Sequence, residues 1–411
     1  MVATPMRTSA PGLTVVLCGL IAAFEGFDLQ AAGVAAPQLA PFFKMSPDAL
    51  GLFFSASTFG LMLGAAFGGR LSDAWGRKRV LMMSVFFFGV FSIATGMANS
   101  VDGLMLFRFL TGVGLGSALP NLIALVAENT PTERRFTAVS ILYAGLPFGG
   151  ALASLVTVFG AADDWRLVFY AGGLAPIVSI PILMYLLPES GKLAALKAAK
   201  TEAPRLGLIK ALFGGSQGLK TALLWIGFFF ALLTMYLLLN WLPSLLISRG
   251  LSRPEASIVQ FGFNICGAAG SIATGLVMDA LSRRLVIPAT FAIAIAALVA
   301  LAMAPPAFVV AIALGSLVGA AVSGTQAILY SIAPSTYPTA ARGGGVGAAV
   351  SVGRLGSAAG PLAGAALLSA GQSAQQVLML MLPALALAGV AAFILTLLPR
   401  GDGEEPAAPP A

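Results

Sequence analysis

Long apolar runs separated by short polar intervals set the pattern of this chain, and the runs recur at the length a bilayer demands. A helix needs about 20 apolar residues to cross the hydrocarbon core. Runs of that length fall near 13–35, 50–70, 80–98, 104–126, 137–160 and 167–187, and again near 221–243, 257–280, 285–304, 307–331, 345–369 and 376–398. Pro305 and Pro306 divide the ninth run from the tenth. The pattern predicts an all-α polytopic membrane protein of twelve transmembrane helices, in two six-helix bundles at 1–187 and 221–399. The interval 188–220 carries six basic residues (Lys192, Lys197, Lys200, Arg205, Lys210 and Lys220) and reads as a cytoplasmic linker. The last stretch, 400–411, is polar and proline-containing, and is expected to stay disordered on the cytoplasmic side.

Composition agrees with the spans. Apolar residues make up 58% of the chain and charged residues 9%, with a mean hydropathy of +0.93, too little charge to cover a soluble surface. Of the 23 basic residues, only Lys44, Arg166, Arg249 and Arg253 fall in loops opposite the N-terminus, and Arg108 and Arg354 lie within spans. The other 17 share the side of both termini, which the positive-inside rule assigns to the cytoplasm. That bias accounts for the net charge of +7 without a nucleic-acid partner. Arg7 precedes the first span and no small-residue cleavage site follows a short core, so the first span is expected to be retained. The two cysteines, Cys18 and Cys266, lie far apart within spans, and histidine is absent. These facts leave no Ser-His-Asp triad, histidine metal site or histidine proton relay, so any proton chemistry falls to carboxylates.

The chain repeats itself. "GRLSDAWGRK" (Gly69 to Lys78) aligns with "GLVMDALSRR" (Gly275 to Arg284) at an offset of 206, matching the glycine, Asp73 with Asp279, Ala74 with Ala280 and a basic pair. "NTPTERR" (Asn129 to Arg135) aligns with "TYPTAAR" (Thr336 to Arg342) at an offset of 207. Two matches at nearly one offset point to duplicated six-helix halves of a transporter.

"GGRLSDAWGRKR" resembles the loop signature of the major facilitator superfamily, a glycine, an aspartate and a basic cluster between the second and third helices. Within that superfamily, "EGFDLQAAG", "RFLTGVGLGSALPNLIAL", "NWLPSLL" and "GVGAAVSVGRLGSAAGPLAG" resemble the aromatic acid:proton symporters, and Glu25 in the first acidic position resembles the phenylpropionate branch. The resemblance covers essentially the whole chain. It implies a bacterial inner-membrane importer of a small aromatic carboxylate, 3-(3-hydroxyphenyl)propionate-like or a benzoate or hydroxybenzoate. Protons would be the coupling ion, with no cofactor, no metal and membrane lipid around a monomer.

The charges within the spans carry the chemistry. A charge at the centre of a membrane helix costs about 2.5 to 3.5 kcal/mol on insertion scales. Glu25 and Asp28 stand three residues apart, so both can face one cavity, and their mutual repulsion in a low dielectric makes them the natural proton site. Arg108 lies about five residues into the fourth span, roughly 8 Å deep at ~1.5 Å per residue, at the depth of Asp28. The resemblance implies that the first and fourth helices are neighbours, so these two are expected to pair, and protonation of Asp28 is expected to release Arg108 to bind the substrate anion. Arg354, mid-span among glycines, offers a planar fork suited to a carboxylate, with a structural ion pair as the alternative. Asn121, Tyr143, Tyr236, Asn240, Gln326 and Tyr330 stand at similar depth as candidate substrate contacts. Tyr236 with Asn240, and Gln326 with Tyr330, each share one helix face at four-residue spacing. A gate is expected from Gly69, Asp73, Gly76 and Arg77, with Asp279 and Arg342 as repeat partners and, as the resemblance implies, Glu128 and Arg134. A drug:proton antiporter has no need of Arg108 and Arg354 in its spans. The chain offers an enzyme no nucleophile-base pair or GxxxxGK[ST] loop, while the antiporter of the same fold and a ligand-binding sensor, for which no signalling domain is read, stand as alternatives.

Overall fold

In hydrocarbon every backbone N–H and C=O must be satisfied within the chain, and helices do this segment by segment. The computed structural model of the protein describes residues 11–131, 135–159, 164–188, 212–214, 217–337 and 342–398, almost all helical. The first six helices are α1 (Pro11–Phe42), α2 (Pro47–Trp75), α3 (Arg77–Gly96), α4 (Val101–Asn129), α5 (Arg135–Phe159) and α6 (Arg166–Leu186). The second set is α7 (Gln217–Ser248), α8 (Arg253–Ala280), α9 (Arg283–Met303), α10 (Phe308–Thr336) and α11 (Arg342–Ser369). Its last crossing is split into α12 (Ala374–Leu380) and α13 (Leu382–Leu397) at Met381.

Eleven crossings are long and apolar enough for a membrane. The exception is α11, 28 residues long but rich in glycine and carrying Arg354. Several helices outrun the hydrophobic runs: α1 extends to Phe42 rather than 35, and α7 begins at Gln217, inside the expected linker. Most of that linker, 189–211 and 215–216, and the tail from 399 lie outside the described residues. At the end opposite the termini, here the far end, α2, α4, α8 and α12 start on serine caps. Ser46, Ser100, Ser252 and Ser373 accept from the N–H groups of Ala49, Gly103, Glu255 and Gln376, which satisfies donors that a helix start leaves open.

Packing repeats with the sequence. In the first half α2 lies on α4, α1 on α5 and α3 on α6; in the second α8 lies on α10, α7 on α11, and α9 on α12 and α13. The correspondence extends to single atoms. A Cβ at Gly112 would overlap the carbonyl oxygen of Ser57, and one at Gly319 would overlap that of Phe263. Gly149 against Ala23 and Gly356 against Phe229 form a second such pair. Both glycines and both partner carbonyls are displaced by 206 or 207, the offset of the loop matches. Small residues at these crossings let two backbones touch, which is how helices gain packing in lipid.

The halves meet along α2 with α11, α5 with α8 and α1 with α7. Hydrogen bonds cross between them toward the far end: Ser55 Oγ donates to Ala358 O at 2.8 Å, Gln30 Nε2 to Leu239 O at 2.7 Å, and Thr157 Oγ1 to Ser257 Oγ at 3.0 Å.

Candidate functional site

Asp28 and Arg108 form a fully buried ion pair, with Arg108 NH1 2.7 Å from Asp28 Oδ2. Four further helices close around the link between α1 and α4. Ser92 of α3 donates to Asp28 Oδ1 at 2.7 Å and approaches Phe169 O of α6 at 3.2 Å. Arg108 NH2 donates to Asp28 O at 3.2 Å and to Ser57 Oγ of α2 at 3.1 Å, and the guanidinium lies 5.8 Å from the Phe169 ring centre. Gly149 brings the backbone of α5 against Ala23 and Phe27 of α1. Only Arg108 Nε in this cluster lacks a partner. A charge pair so enclosed is net neutral, and each member holds the other in place.

Glu25 takes no part in this hydrogen-bonded cluster, though it interacts electrostatically with Asp28. Asp28 bonds to Ser92 and Arg108 of the first half, whereas Glu25 interacts electrostatically with Arg354 of the second. Glu25 is buried and makes no hydrogen bond among the described residues, its Oε2 without a partner. Across the gap, Arg354 of α11 interacts electrostatically with Glu25 and with Tyr143, Tyr236 and Tyr330. Arg354 is half-buried and donates through NH1 to Tyr236 Oη at 2.8 Å. The Tyr143 and Tyr330 rings lie 5.8 Å apart at 36°, and Phe228 stands edge-on to Tyr330 at 5.1 Å. One guanidinium, three phenols and a phenyl ring thus gather from four helices of two halves, opposite one carboxylate.

The remaining candidates are distributed unevenly. Gln326 is half-buried on α10, one turn from Tyr330, with Nε2 unpartnered. Asn240 is buried beside Gly33 of α1 and donates to Tyr236 O at 2.8 Å, a bond within its own helix. Asn121 is buried on α4 and donates to Ser117 O at 2.8 Å in the same way. Neither amide has a side-chain contact to Arg354 or Glu25. Gly76 joins α2 to α3 with φ of 102°, a conformation that favours glycine. Arg77 opens α3 half-buried, and Asp279 is exposed near the end of α8. The side chains of Asp73, Glu128 and Arg342 and the surroundings of Gly69 lie outside the described set, as does Arg134 entirely.

Ser57, Ser92 and Phe228 take part without having stood out in the sequence, since a serine or phenylalanine in an apolar helix is ordinary. Gln260 and Asn264 are different. They are buried on α8, four residues apart, where Asn264 meets Gly150 of α5, and both amide atoms of Gln260 lack partners. The four-residue spacing that marked Tyr236 with Asn240 marks these two as well.

The sequence model of the Major Facilitator Superfamily matches residues 18–307 and again 224–411. The chain is 42% identical to the 3-(3-hydroxy-phenyl)propionate transporter of Escherichia coli (strain K12), across 93% of each chain. It is 34% identical to the gallate transporter of Pseudomonas putida, across 87% of this chain and 86% of that one. With the 4-hydroxybenzoate transporter PcaK of Pseudomonas putida the identity is 32%, across 94% and 93%. Among solved structures, a bacterial homologue of the human lysosomal transporter Spinster superposes with a TM-score of 0.72 at 17% identity, covering 96% of this chain and 98% of that one. A D-xylose-proton symporter superposes at 0.71 with 18% identity, covering 95% and 97%.

Proposed function

The chain belongs to the Major Facilitator Superfamily and is a membrane transporter rather than an enzyme, and from that premise we propose that it imports a small aromatic carboxylate together with a proton. The observation that carries this reading is Arg354, half-buried at the gap, bonded to a tyrosine and surrounded by aromatic rings, with Glu25 opposite. A guanidinium can hold a carboxylate through two parallel bonds, the rings offer faces and edges to an arene, and the phenols can bond a ring hydroxyl. The relatives named for hydroxyphenylpropionate, gallate and 4-hydroxybenzoate all concern aromatic acids with such hydroxyls.

Coupling follows from charge. Empty, ionised Glu25 and Arg354 sum to zero across the gap. Loaded, protonated Glu25, Arg354 and a carboxylate anion again sum to zero. Each half-loaded state leaves one net charge in a low-dielectric site, which opposes reorientation. Substrate and Glu25 thereby compete for one guanidinium, and a proton on Glu25 decides the contest. One proton carried with one monoanion is electroneutral, so the pH gradient drives uptake in this scheme. Asp28 and Arg108 hold the first bundle in shape beside the site.

The bundles 1–187 and 221–399 act as the two rocking bodies, joined by the linker 188–220. The far-end closure is the arm of the cycle in which the site is shut to that side. We read the end with the termini as cytoplasmic, where most basic residues lie, and the membrane as the bacterial inner one, with the protein acting as a monomer. Uptake of labelled 3-(3-hydroxyphenyl)propionate, benzoate and 4-hydroxybenzoate into proteoliposomes tests this. An inward pH gradient without a membrane potential should drive accumulation of at least one acid. Accumulation that needs a potential but no pH gradient, or of none of the three, would overturn it.

A further inference from the structure

We propose that the second bundle carries an anion-binding site for a phosphate group, built for the headgroup of an anionic phospholipid, apart from the transport path. A cavity of about 660 Å³ opens at the end of this bundle that bears the termini. Its walls include Lys220 at the start of α7, Arg283 and Arg284 at the start of α9, and the hydroxyls of Ser282, Ser335 and Thr396. Among the described residues no acid lines it. Among the described residues its lining belongs to α7 through α10, α13 and their immediate flanks, with nothing from the first half, which sets it apart from the contact between the halves.

Lys220 is the observation that points to a ligand. It is 6% exposed, yet it makes no hydrogen bond or ion pair among the described residues, and it faces this cavity. Its stem is buried while its ammonium, without a counter-charge among the described residues, is open to an anion that enters the cavity. The start of α9 adds to the field. The Ser282 hydroxyl makes no capping bond, while Leu285 and Val286 donate to Ser282 O, so the N–H groups of Arg283 and Arg284 remain open at the start of this 21-residue helix. The ends of α8, α10 and α13 contribute partial negative charge there, about half a unit each, which three full positive charges outweigh.

The source of the phosphate follows from the other wall. Leu281, Leu397 and Leu398 line the cavity beside the cations, and the first two are more than half exposed at 53% and 52%. Apolar edge and basic floor together match a lipid, acyl chain against leucine and headgroup against lysine. Basic pockets between helices at this level of a membrane protein hold anionic headgroups. A soluble phosphate compound would use the same floor and leave the leucines bare.

The test is thermal unfolding of the purified full-length protein in a neutral detergent, titrated with dioleoylphosphatidylglycerol, with dioleoylphosphatidylcholine, or with inorganic phosphate. Phosphatidylglycerol should raise the midpoint where phosphatidylcholine does not. The pair Lys220→Met with Arg283→Gln should shift that titration by about tenfold or more, and Lys220→Arg should preserve it. Protection by inorganic phosphate, lost in the same double variant, supports the site with a soluble source. If the double variant does not fold, native mass spectrometry of the wild type decides: one retained phosphatidylglycerol that phosphatidylcholine cannot displace supports the site. Equal responses to both lipids and none to phosphate, or a retained lipid exchanged freely by phosphatidylcholine, overturns it and leaves a solvent-filled vestibule.

Discussion

Removing one partner of the Asp28–Arg108 pair should cost far more than removing both. The pair is fully buried, and its members are separated by 2.7 Å. Arg108→Gln leaves the Asp28 carboxylate with one hydroxyl, that of Ser92, in place of a full counter-charge. Breaking such a pair from one side costs about 3 to 5 kcal/mol, because the charge left behind stays buried and uncompensated. Asp28→Asn should fall at the lower end. Arg108 NH2 keeps the backbone oxygen of residue 28 and Ser57 Oγ, and an amide oxygen can still accept from NH1. The double variant Asp28→Asn with Arg108→Gln buries no net charge and should regain at least about 2 kcal/mol relative to Arg108→Gln alone. Reversible unfolding of the four proteins in mixed micelles gives the complete double-mutant cycle. Additive losses, with the double variant less stable than either single one, would refute the argument that these residues stabilise each other by charge.

Glu25→Gln should abolish accumulation against a gradient while exchange of substrate across the membrane continues, since the amide keeps the shape and loses the proton; parallel uptake and counterflow assays separate the two. Gln260→Leu removes two unpartnered buried polar atoms from the far-end contact between α5 and α8 and should favour closure there by about 1 to 3 kcal/mol. Greater disulfide yield on a Thr157→Cys, Ser257→Cys background would register the shift, and an unchanged or lower yield would count against it. Gly112→Ala and Gly319→Ala should each destabilise by about 1 to 3 kcal/mol through overlap with a carbonyl. Gly275→Ala, with open space around it, should leave the thermal midpoint unchanged or slightly raised.

Hydrophobic run length made the crossings readable. The pairing of Asp28 with Arg108 was legible because the two charges lie at one depth and the family resemblance implies that their helices are neighbours. The different partners of Glu25 and Asp28 were not, because three-residue spacing limits the angle between side chains without fixing which neighbour each one meets. Asn121 and Asn240 show the same gap from the other side. A polar residue at cavity depth can satisfy itself on its own helix, and both do. The loop repeat was visible as matched letters, whereas the repeated glycine contacts need the partner helix before a glycine can be told from its neighbours. α11 escaped the apolar criterion because it trades bulk for glycine around Arg354, and that trade is itself a mark of a helix that faces the other half of the protein.

The account rests most heavily on Arg354 as the reader of a carboxylate, and binding of an acid and its amide to wild type and to Arg354→Ala tests that directly. Isothermal titration in detergent with 3-(3-hydroxyphenyl)propionate and with its amide gives four affinities. The wild type should prefer the acid, and Arg354→Ala should weaken acid binding by about 1.5 to 3 kcal/mol, the range for a hydrogen bond to a charged group, while the amide, which never had the anionic contact, binds both proteins equally poorly. Equal losses for acid and amide would contradict the account, placing Arg354 among the residues that hold α7 to α11 instead of among those that hold the substrate.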